Sequence, residues 1–262
     1  MDRSDCAYVI NSCPSYYYLL LPHLTLLRRY CPDLSWPVYI GSEEPCHEVI
    51  KKCMGAGAHI IELSANESSF WESRVATIRK LPAHIKYIFP VQEDFLLERY
   101  SRHYGEFKKI VEAFDANSRL ISARFMPCPG PKSLGTYMKG WNILSEADDY
   151  LFTFQATLWK REAYCQYLES IIRINKELWP GLVVGSVEYN KHAVGMNLAE
   201  NASGRGIFKD MFKECINIAW VRSGVQANAV YDCPFPYRPT AVVKGVLQDW
   251  ASDLLRREGV YV

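Results

Sequence analysis

One run of ten residues is the most informative part of this chain: Tyr87-Ile88-Phe89-Pro90-Val91-Gln92-Glu93-Asp94-Phe95-Leu96. Its apolar first half is typical of a buried β-strand, and the strand pattern ends in two adjacent carboxylates, Glu93 and Asp94. Ligands of open α/β sheets bind at the carboxyl ends of the strands, and two neighbouring acids there need a cation or solvent to balance their charge. Asp94 is therefore a candidate ligand for a divalent metal that carries a phosphate-bearing substrate. The alternative is a solvated strand-to-helix turn in which Asp94 caps the next helix.

The chain before this run alternates strand-like and helix-like segments. The pattern predicts strands at residues 7–11, 38–41 and 59–63, and helices at residues 19–30, 46–54 and 69–80. This β-α-β-α-β-α-β order predicts an α/β protein with a mostly parallel central sheet and helices on both of its faces.

The later segments are less regular. We expect helices at 106–114, 163–174 and 242–257 and another through Cys215, strands at 120–126, 150–155 and 227–231, and a proline-rich loop at 127–131. The chain shows neither an internal repeat nor a convincing linker, so residues 1–262 are expected to form one domain.

Composition limits the partners and the compartment. The 262 residues hold 30 Lys and Arg against 29 Asp and Glu, so no net field favours nucleic acid. The 9 cysteines include no Cys-x-x-Cys pair and no zinc-ligand spacing, which indicates free thiols in a reducing compartment. The apolar run at 16–27 is too short for a membrane span. We therefore expect a soluble, cytoplasmic protein with no nucleic-acid partner and no membrane span.

Several common nucleotide and catalytic motifs are missing from the sequence. There is no Gly-x-x-x-x-Gly-Lys-Ser/Thr loop, no Gly-x-Gly-x-x-Gly after the first strand, no Gly-x-Ser-x-Gly elbow and no His-Glu-x-x-His. A dinucleotide-binding site is therefore disfavoured, and any nucleotide would bind through a different arrangement.

Three segments in this order carry a family resemblance: Trp71-x-x-Arg74, then Gln92-Glu93-Asp94, then 154–162, Phe-Gln-Ala-Thr-Leu-Trp-Lys-Arg-Glu. The combination resembles glycosyltransferases of the GT-A fold, in particular small glycosyltransferase-like proteins of bacteria and large DNA viruses, and covers residues 5–205. The resemblance implies a GT-A-like, Rossmann-like domain that moves a monosaccharide from a nucleotide-diphosphate sugar to an oligosaccharide or glycoprotein acceptor. For a viral protein the compartment would be the host cytoplasm.

The acidic triplet would hold the cation in such an enzyme. GT-A enzymes use an Asp-x-Asp motif to hold a divalent cation that bridges the diphosphate of the donor. The resemblance makes Asp94 the ligand of Mn²⁺ or Mg²⁺ and turns Glu93 toward the sugar or ribose. Gln92 replaces the first aspartate and can only form hydrogen bonds, so metal-independent transfer stays open.

Other donor-site roles follow from the same resemblance. Asn11 and Ser12 would meet the base and ribose, and Arg74 would pair with the diphosphate unless it is a surface arginine of an amphipathic helix. Lys244 would approach the phosphates, although its segment also fits an ordinary helix. Gln155 would contact donor or acceptor hydroxyls.

Residues 1–126 would thus form the nucleotide-sugar half, and residues 127–262 the acceptor and C-terminal half. The base that deprotonates the acceptor would be Glu200 or Glu188, either of which also fits a solvated helix position. Two other functions remain open: a nucleotidyltransferase or another metal-dependent phosphate enzyme, and a catalytically inactive sugar-binding protein, which the missing first aspartate motivates.

Overall fold

The computed structural model describes residues 4–64, 67, 70–103, 105–126, 135–145, 148, 150–178, 202–221, 230, 232–238 and 240–260. Its first part alternates strands and helices as predicted. The strands are β1 (Cys6–Asn11), β2 (Val38–Ser42), β3 (His59–Glu62) and β4 (Tyr87–Gln92), and the helices are a 3-10 helix (Pro14–Leu19), α1 (Leu20–Tyr30), α2 (Glu48–Gly55) and α3 (Phe70–Arg79).

The remaining described elements are shorter and more mixed. The strands are β5 (Leu96–Leu97), β6 (Leu120–Arg124), β7 (Thr136–Met138), β8 (Trp141–Ile143), β9 (Thr157–Lys160), β10 (Ile216–Trp220), β11 (Tyr237–Arg238), β12 (Val242–Val243) and β13 (Val246–Leu247). The helices are α4 (Glu106–Ala116), α5 (Arg161–Leu178), α6 (Ala202–Met211) and α7 (Asp249–Arg257). None of the helices in the described ranges has the length and apolar character that a membrane crossing needs.

Nine of the described strands form one sheet in the order β3-β2-β1-β4-β9-β6-β10-β8-β7. Strands β3, β2, β1 and β4 pair in parallel, and so do β6 and β10. Strand β9 runs antiparallel between β4 and β6, so β6 and β10 point in the same direction as β1 and β4. The carboxyl ends of β1, β4, β6 and β10 therefore meet at one side of the sheet, here called the carboxyl edge. The predicted α/β class with a mostly parallel sheet is confirmed.

Helices cover both faces of the sheet, because successive side chains of a strand point to opposite sides. Tyr8 and Ile10 of β1 belong to one buried cluster, together with residues of α1, α2, α4 and α7. Ala7 and Val9, the alternate residues of the same strand, belong to a second cluster with residues of α3, α5 and α6. Strand β1 is thus buried on both faces, which explains its continuous apolar sequence.

Two expectations for the middle of the chain were wrong. The segment after Asp94 is not a helix: Leu96 and Leu97 form β5, which pairs antiparallel with Tyr237 and Arg238. Residues 150–155 form no strand, because Phe152 and Phe154 are buried by packing of their rings in the second cluster without entering the sheet. Strand pairing begins instead at β9.

The C-terminal helix was predicted to begin too early. It begins at Asp249, because residues 242–247 form a β12–β13 hairpin. Lys244 and Gly245 both have positive φ, 51° and 78°, which a helix does not allow. The helix expected through Cys215 ends at Met211, and β10 follows it unpredicted. The proline loop at 127–131 lies outside the described residues, as does most of the strand predicted at 227–231.

Gly41 of β2 allows α3 to lie close against the sheet. A Cβ atom at this position would overlap Thr77 Oγ1 of α3. We expect Gly41→Ala to lower the free energy of unfolding by about 1–3 kcal/mol, because overpacking forces the helix or the strand to shift. Denaturant unfolding measures the loss, and Thr77→Ala in the same chain should recover most of it. Gly55→Ala is the control, since a Cβ atom added there would meet nothing within 4 Å; an equal loss in that variant would contradict the packing argument.

Candidate functional site

Polar side chains gather where β1 and β4 end. Asn11, the last residue of β1, lies directly opposite Gln92, the last residue of β4. A cavity of about 10 Å³ lies against both residues and is also lined by Arg74 and Phe154, which is room for about one water molecule. The structure therefore brings three predicted site residues, Asn11, Arg74 and Gln92, to one point of the carboxyl edge.

Two buried side chains support the turn that carries the acids. His23 Nδ1 lies 3.2 Å from the backbone oxygen of Glu93, and His23 Nε2 lies 2.7 Å from the hydroxyl of Tyr8. Burial lowers the pKa of His23 to about 4, so the ring is neutral near pH 7. Because a carbonyl oxygen only accepts, Nδ1 donates to Glu93 and Nε2 accepts from Tyr8. These two hydrogen bonds fix the backbone of the acidic turn, Glu93 and Asp94, from inside the core.

The two carboxylates lie in an environment that disfavours their charge. Burial and, to a smaller extent, the neighbouring Asp94 raise the pKa of Glu93 to about 8, while Arg74 opposes the rise. Burial also raises the pKa of Asp94. The N–H of Val242 donates to Asp94 Oδ2 at 3.4 Å and opposes this rise. Arg74 therefore offsets only part of the cost of burying this pair of carboxylates. A bound cation would stabilise the pair.

Three buried oxygen atoms at this edge have no hydrogen-bond partner in the described structure. They are Asn11 Oδ1, Ser12 Oγ and Asp94 Oδ1. Buried polar atoms are normally paired, and unpaired ones in a native fold often mark a place where a ligand, ion or water binds. All three belong to residues that the sequence placed at the ligand site.

Arg74 is a buried cation beside these oxygens. It is only 6% exposed, its guanidinium packs 3.5 Å from the centre of the Phe70 ring, and Nη1 donates to the Phe70 carbonyl at 2.8 Å. Phe154 lies on another side at 5.3 Å. The alternative of a surface arginine is wrong, because these rings cover it. Arg74 lowers the pKa of both acids, which places its charge near them.

Tyr237 holds Gln155 in place, a contact that the sequence did not reveal. The Tyr237 hydroxyl donates to Gln155 Oε1 at 2.6 Å and accepts from the N–H of Ala156 at 3.1 Å. Its ring stacks on Phe95, the residue after the acidic turn, at 4.7 Å. No spacing or motif links residues 155 and 237, so only the folded chain shows that they meet.

Lys244 lies near the site through its hairpin. It is exposed at the β12–β13 turn, two residues after Val242, whose N–H contacts Asp94. The helix expected for this segment was wrong, but the hairpin still begins at the acidic turn. The two candidate bases, Glu188 and Glu200, lie outside the described residues.

The described side chains do not form a complete metal centre by themselves. They fit better a cation that a substrate brings with it. Across the described ranges, no group of three or more His, Cys, Asp or Glu side chains is placed to hold a metal. Asp94 offers one buried carboxylate oxygen without a partner. Mg²⁺ and related ions commonly bind through one or two carboxylates, phosphate oxygens and water, which is the set that this edge and a diphosphate would supply.

Comparisons by sequence give no relative. No family model matches the chain. No curated protein matches it either.

The chain has a distant likeness to several solved structures. TarS residues 1–349 of S. aureus, in complex with UDP-GlcNAc, is 9% identical with a TM-score of 0.42, over 62% of this chain and 47% of that chain. The apo glycosyltransferase GlyE of Streptococcus pneumoniae TIGR4 is 11% identical with a TM-score of 0.44, over 98% of this chain and 64% of that chain. The 4-diphosphocytidyl-2C-methyl-D-erythritol synthase of Anaerococcus prevotii DSM 20548 is 7% identical with a TM-score of 0.41, over 86% and 90%. The chain thus spans less than two thirds of the TarS fragment and of GlyE.

Proposed function

We propose that this protein is a GT-A-like glycosyltransferase that moves a monosaccharide from a nucleotide-diphosphate sugar to a hydroxyl of a glycan acceptor. One observation carries the proposal: a buried carboxylate oxygen without a partner, Asp94 Oδ1, lies at the carboxyl edge near the buried cation Arg74. A diphosphate with its divalent ion matches both features, because the ion takes the carboxylate and the arginine takes phosphate oxygens. The motif order around residues 71–74, 92–94 and 154–162 supports the same class.

Each half of the donor then has a partner. The unpaired oxygens of Asn11 and Ser12, at the end of β1, would accept hydrogen bonds from the base or ribose. Arg74 would neutralise the diphosphate, and Asp94 would hold Mn²⁺ or Mg²⁺. When bound, this ion supplies Lewis-acid stabilisation of the departing nucleoside diphosphate. Burial strengthens these charge interactions, because the effective dielectric constant inside a protein is lower than that of water.

Three further residues would orient the sugar and the phosphates. Glu93 has a pKa of about 8 and is protonated at neutral pH in the free protein, so its carboxyl can donate a hydrogen bond to a hydroxyl of the donor. Gln92 would add hydrogen bonds from its amide. Gln155, fixed by Tyr237, would contact donor or acceptor hydroxyls.

Three more residues keep the roles that the sequence analysis gave them. Lys244, at the hairpin tip, would approach the phosphates as the donor binds. Glu200 and Glu188 stay sequence predictions for the carboxylate that takes the acceptor proton.

Product analysis tests the proposed class. The protein is incubated with Mn²⁺ and a panel of UDP-, GDP- and CDP-sugars, or with nucleoside triphosphates, and the released phosphates are identified. We expect a nucleoside diphosphate from one of the nucleotide sugars, together with a glycosylated acceptor. Release of pyrophosphate from a triphosphate would replace the proposal with nucleotidyl transfer. Donor binding without any turnover would indicate an inactive sugar-binding protein.

A further inference from the structure

A second cavity lies at the opposite end of β4 from the acidic turn. Its volume is about 590 Å³, which is within the range of roughly 300–1,000 Å³ that ligand cavities usually have. It lies where β4 begins, β9 ends and α5 begins. Its charged lining residues are four cations and one acid: Arg79, Lys86, Lys160, Arg161 and Glu162. A cavity lined mostly by one sign of charge concentrates ligands of the opposite sign.

Three of the cations belong to neighbouring backbone segments. Lys160 lies opposite Tyr87 in the antiparallel pair of β9 and β4. The backbone N–H of Arg161 donates to the carbonyl of Lys86 at 2.8 Å. Like charges on adjacent segments repel each other, so an anion bound between these side chains would relieve the repulsion.

The fourth cation, Arg79, is already neutralised by carboxylates of α5. Its Nη1 lies 2.6 Å from Glu162 Oε2, and its Nε lies 2.9 Å from Glu169 Oε1. The acid of the cavity is thus engaged by an arginine of the cavity. The other three cations keep their excess of positive charge.

Arg161 and Lys160 are held by backbone carbonyls and not by carboxylates. Arg161 Nη1 and Nη2 donate to four carbonyls of residues 79–85 at 2.9–3.3 Å. Lys160 Nζ donates to the carbonyls of residues 117 and 118 at 3.3 and 2.6 Å. Within the described part of the chain, neither side chain forms an ion pair. Both charges are therefore fixed in position without a carboxylate to balance them.

Lys86 and Lys160 keep N–H groups that a ligand can use. Lys86 Nζ lies 3.9 Å from Asp5 Oδ2, beyond hydrogen-bond distance, and its side chain is 68% exposed. Lys160 uses two of its three N–H groups on carbonyls. Burial lowers the pKa of Lys160, while Cys215 and Asp115 oppose this change. An anion at the cavity would oppose it further.

The remaining donors favour carboxylates over a phosphate group. The guanidinium groups of Arg79 and Arg161 already donate to carboxylate and carbonyl oxygens, so neither offers a free planar fork for bidentate binding of phosphate. Two separate ammonium groups remain, those of Lys86 and Lys160, and each suits a single carboxylate oxygen.

We propose that this cavity is a docking site for an acidic peptide segment of a partner protein. One carboxylate of the segment pairs with Lys86 and a second with Lys160, and the charge of Arg161 attracts both. Ala83 and Ile85 line the same cavity and give it an apolar part for an aliphatic side chain of the segment. The site is independent of the proposed function, because it lies at the end of β4 away from Asp94.

Titration of the full chain with a short peptide of alternating glutamate and leucine, blocked at both ends, tests the site. The titration is done at low salt with a chelator, so that no divalent ion takes part. We expect one peptide to bind per chain, and to bind more weakly as salt is added, because salt screens exposed charges. The same peptide with glutamine in place of glutamate should not bind.

Lys86→Glu is the decisive variant, because this exposed side chain forms no hydrogen bond within the described structure and its replacement should leave the fold intact. It should weaken peptide binding at least about tenfold, since it places like charges side by side. Lys160→Gln should also weaken binding, and Lys160→Arg should keep most of it. Lys51→Glu is the matched control: Lys51 is 56% exposed on α2, where it pairs with Glu48. This control and Asp94→Asn should bind the peptide as the parental protein does.

The outcomes decide the proposal without any measurement of turnover. Failure of the acidic peptide to bind the parental protein would overturn it, and so would equal affinity in Lys86→Glu. An equal loss in Lys51→Glu would show that net charge alone attracts the peptide, and would overturn the site. Binding of inorganic pyrophosphate under the same conditions, without binding of the peptide, would replace the peptide with a small anion. The proposed function stands or falls separately, on the donor experiments.

Discussion

Asp94→Asn is expected to lower nucleotide-sugar turnover at least about 100-fold, in the range found when an electrostatic group of a transition state is removed. Asparagine keeps an oxygen that can accept from the N–H of Val242 but loses the charge that would hold the cation. The thermal midpoint should be equal or higher, because burial already disfavours the charged form of Asp94 and raises its pKa. Steady-state kinetics with saturating Mn²⁺ and thermal unfolding measure the two effects.

Asp115→Asn is the matched control for that variant. Asp115 accepts a hydrogen bond of 2.7 Å from the hydroxyl of Tyr87, the first residue of β4, so it lies at the opposite end of the same strand. It should turn over donor at the parental rate. Parental turnover in Asp94→Asn as well would remove the aspartate from the proposed chemistry.

Arg74→Met is expected to raise the KM for the donor roughly 10- to 100-fold, because a hydrogen bond to a charged group is worth about 1.5–3 kcal/mol. Methionine fills space against Phe70 but carries no charge, so it isolates the electrostatic contribution. Arg74→Lys should recover only part of the affinity, since an ammonium cannot reproduce the planar fork of the guanidinium. Donor titration and initial rates at several donor concentrations measure the change.

Arg79→Met on the same helix controls for the loss of an arginine. Arg79 forms ion pairs with Glu162 and Glu169 of α5 at 2.6 and 2.9 Å, at the end of α3 away from the site. Its loss should affect stability and leave the donor KM unchanged. Equal KM values for Arg74→Met and the parental protein would show that the buried cation does not bind the diphosphate.

The sequence was most informative where local pattern and burial agree. Strands β1 and β4 are buried on both faces and appear as unbroken apolar runs, so their positions were predicted within a residue or two. The strand predicted at 150–155 was wrong because burial alone does not identify a strand. A segment with several aromatic side chains is equally apolar whether its backbone pairs in a sheet or its rings pack beside helices. Strand β10 was missed because its pairing with β6 joins residues about a hundred positions apart, which no local pattern records.

The sequence indicated the part of the candidate site that lies at strand ends, but not the distant residues that hold it in place. Asn11, Ser12, Glu93 and Asp94 lie within two residues of the ends of β1 and β4. The ends of such apolar strands are visible in a sequence. The groups that hold them are distant in the chain: His23 reaches Glu93, and Val242 reaches Asp94 across 148 positions. The contact between Gln155 and Tyr237 likewise exists only in the folded chain.

The central claim is that the carboxylate closing β4 binds a cation carried by a nucleoside diphosphate. Calorimetric titration of UDP, GDP and CDP into the parental protein and Asp94→Asn, each with Mn²⁺ and with a chelator, tests it most directly. We predict that one diphosphate binds the parental protein only with Mn²⁺, and that Asp94→Asn loses this binding. Binding of equal strength with the chelator, or in Asp94→Asn, would contradict the claim.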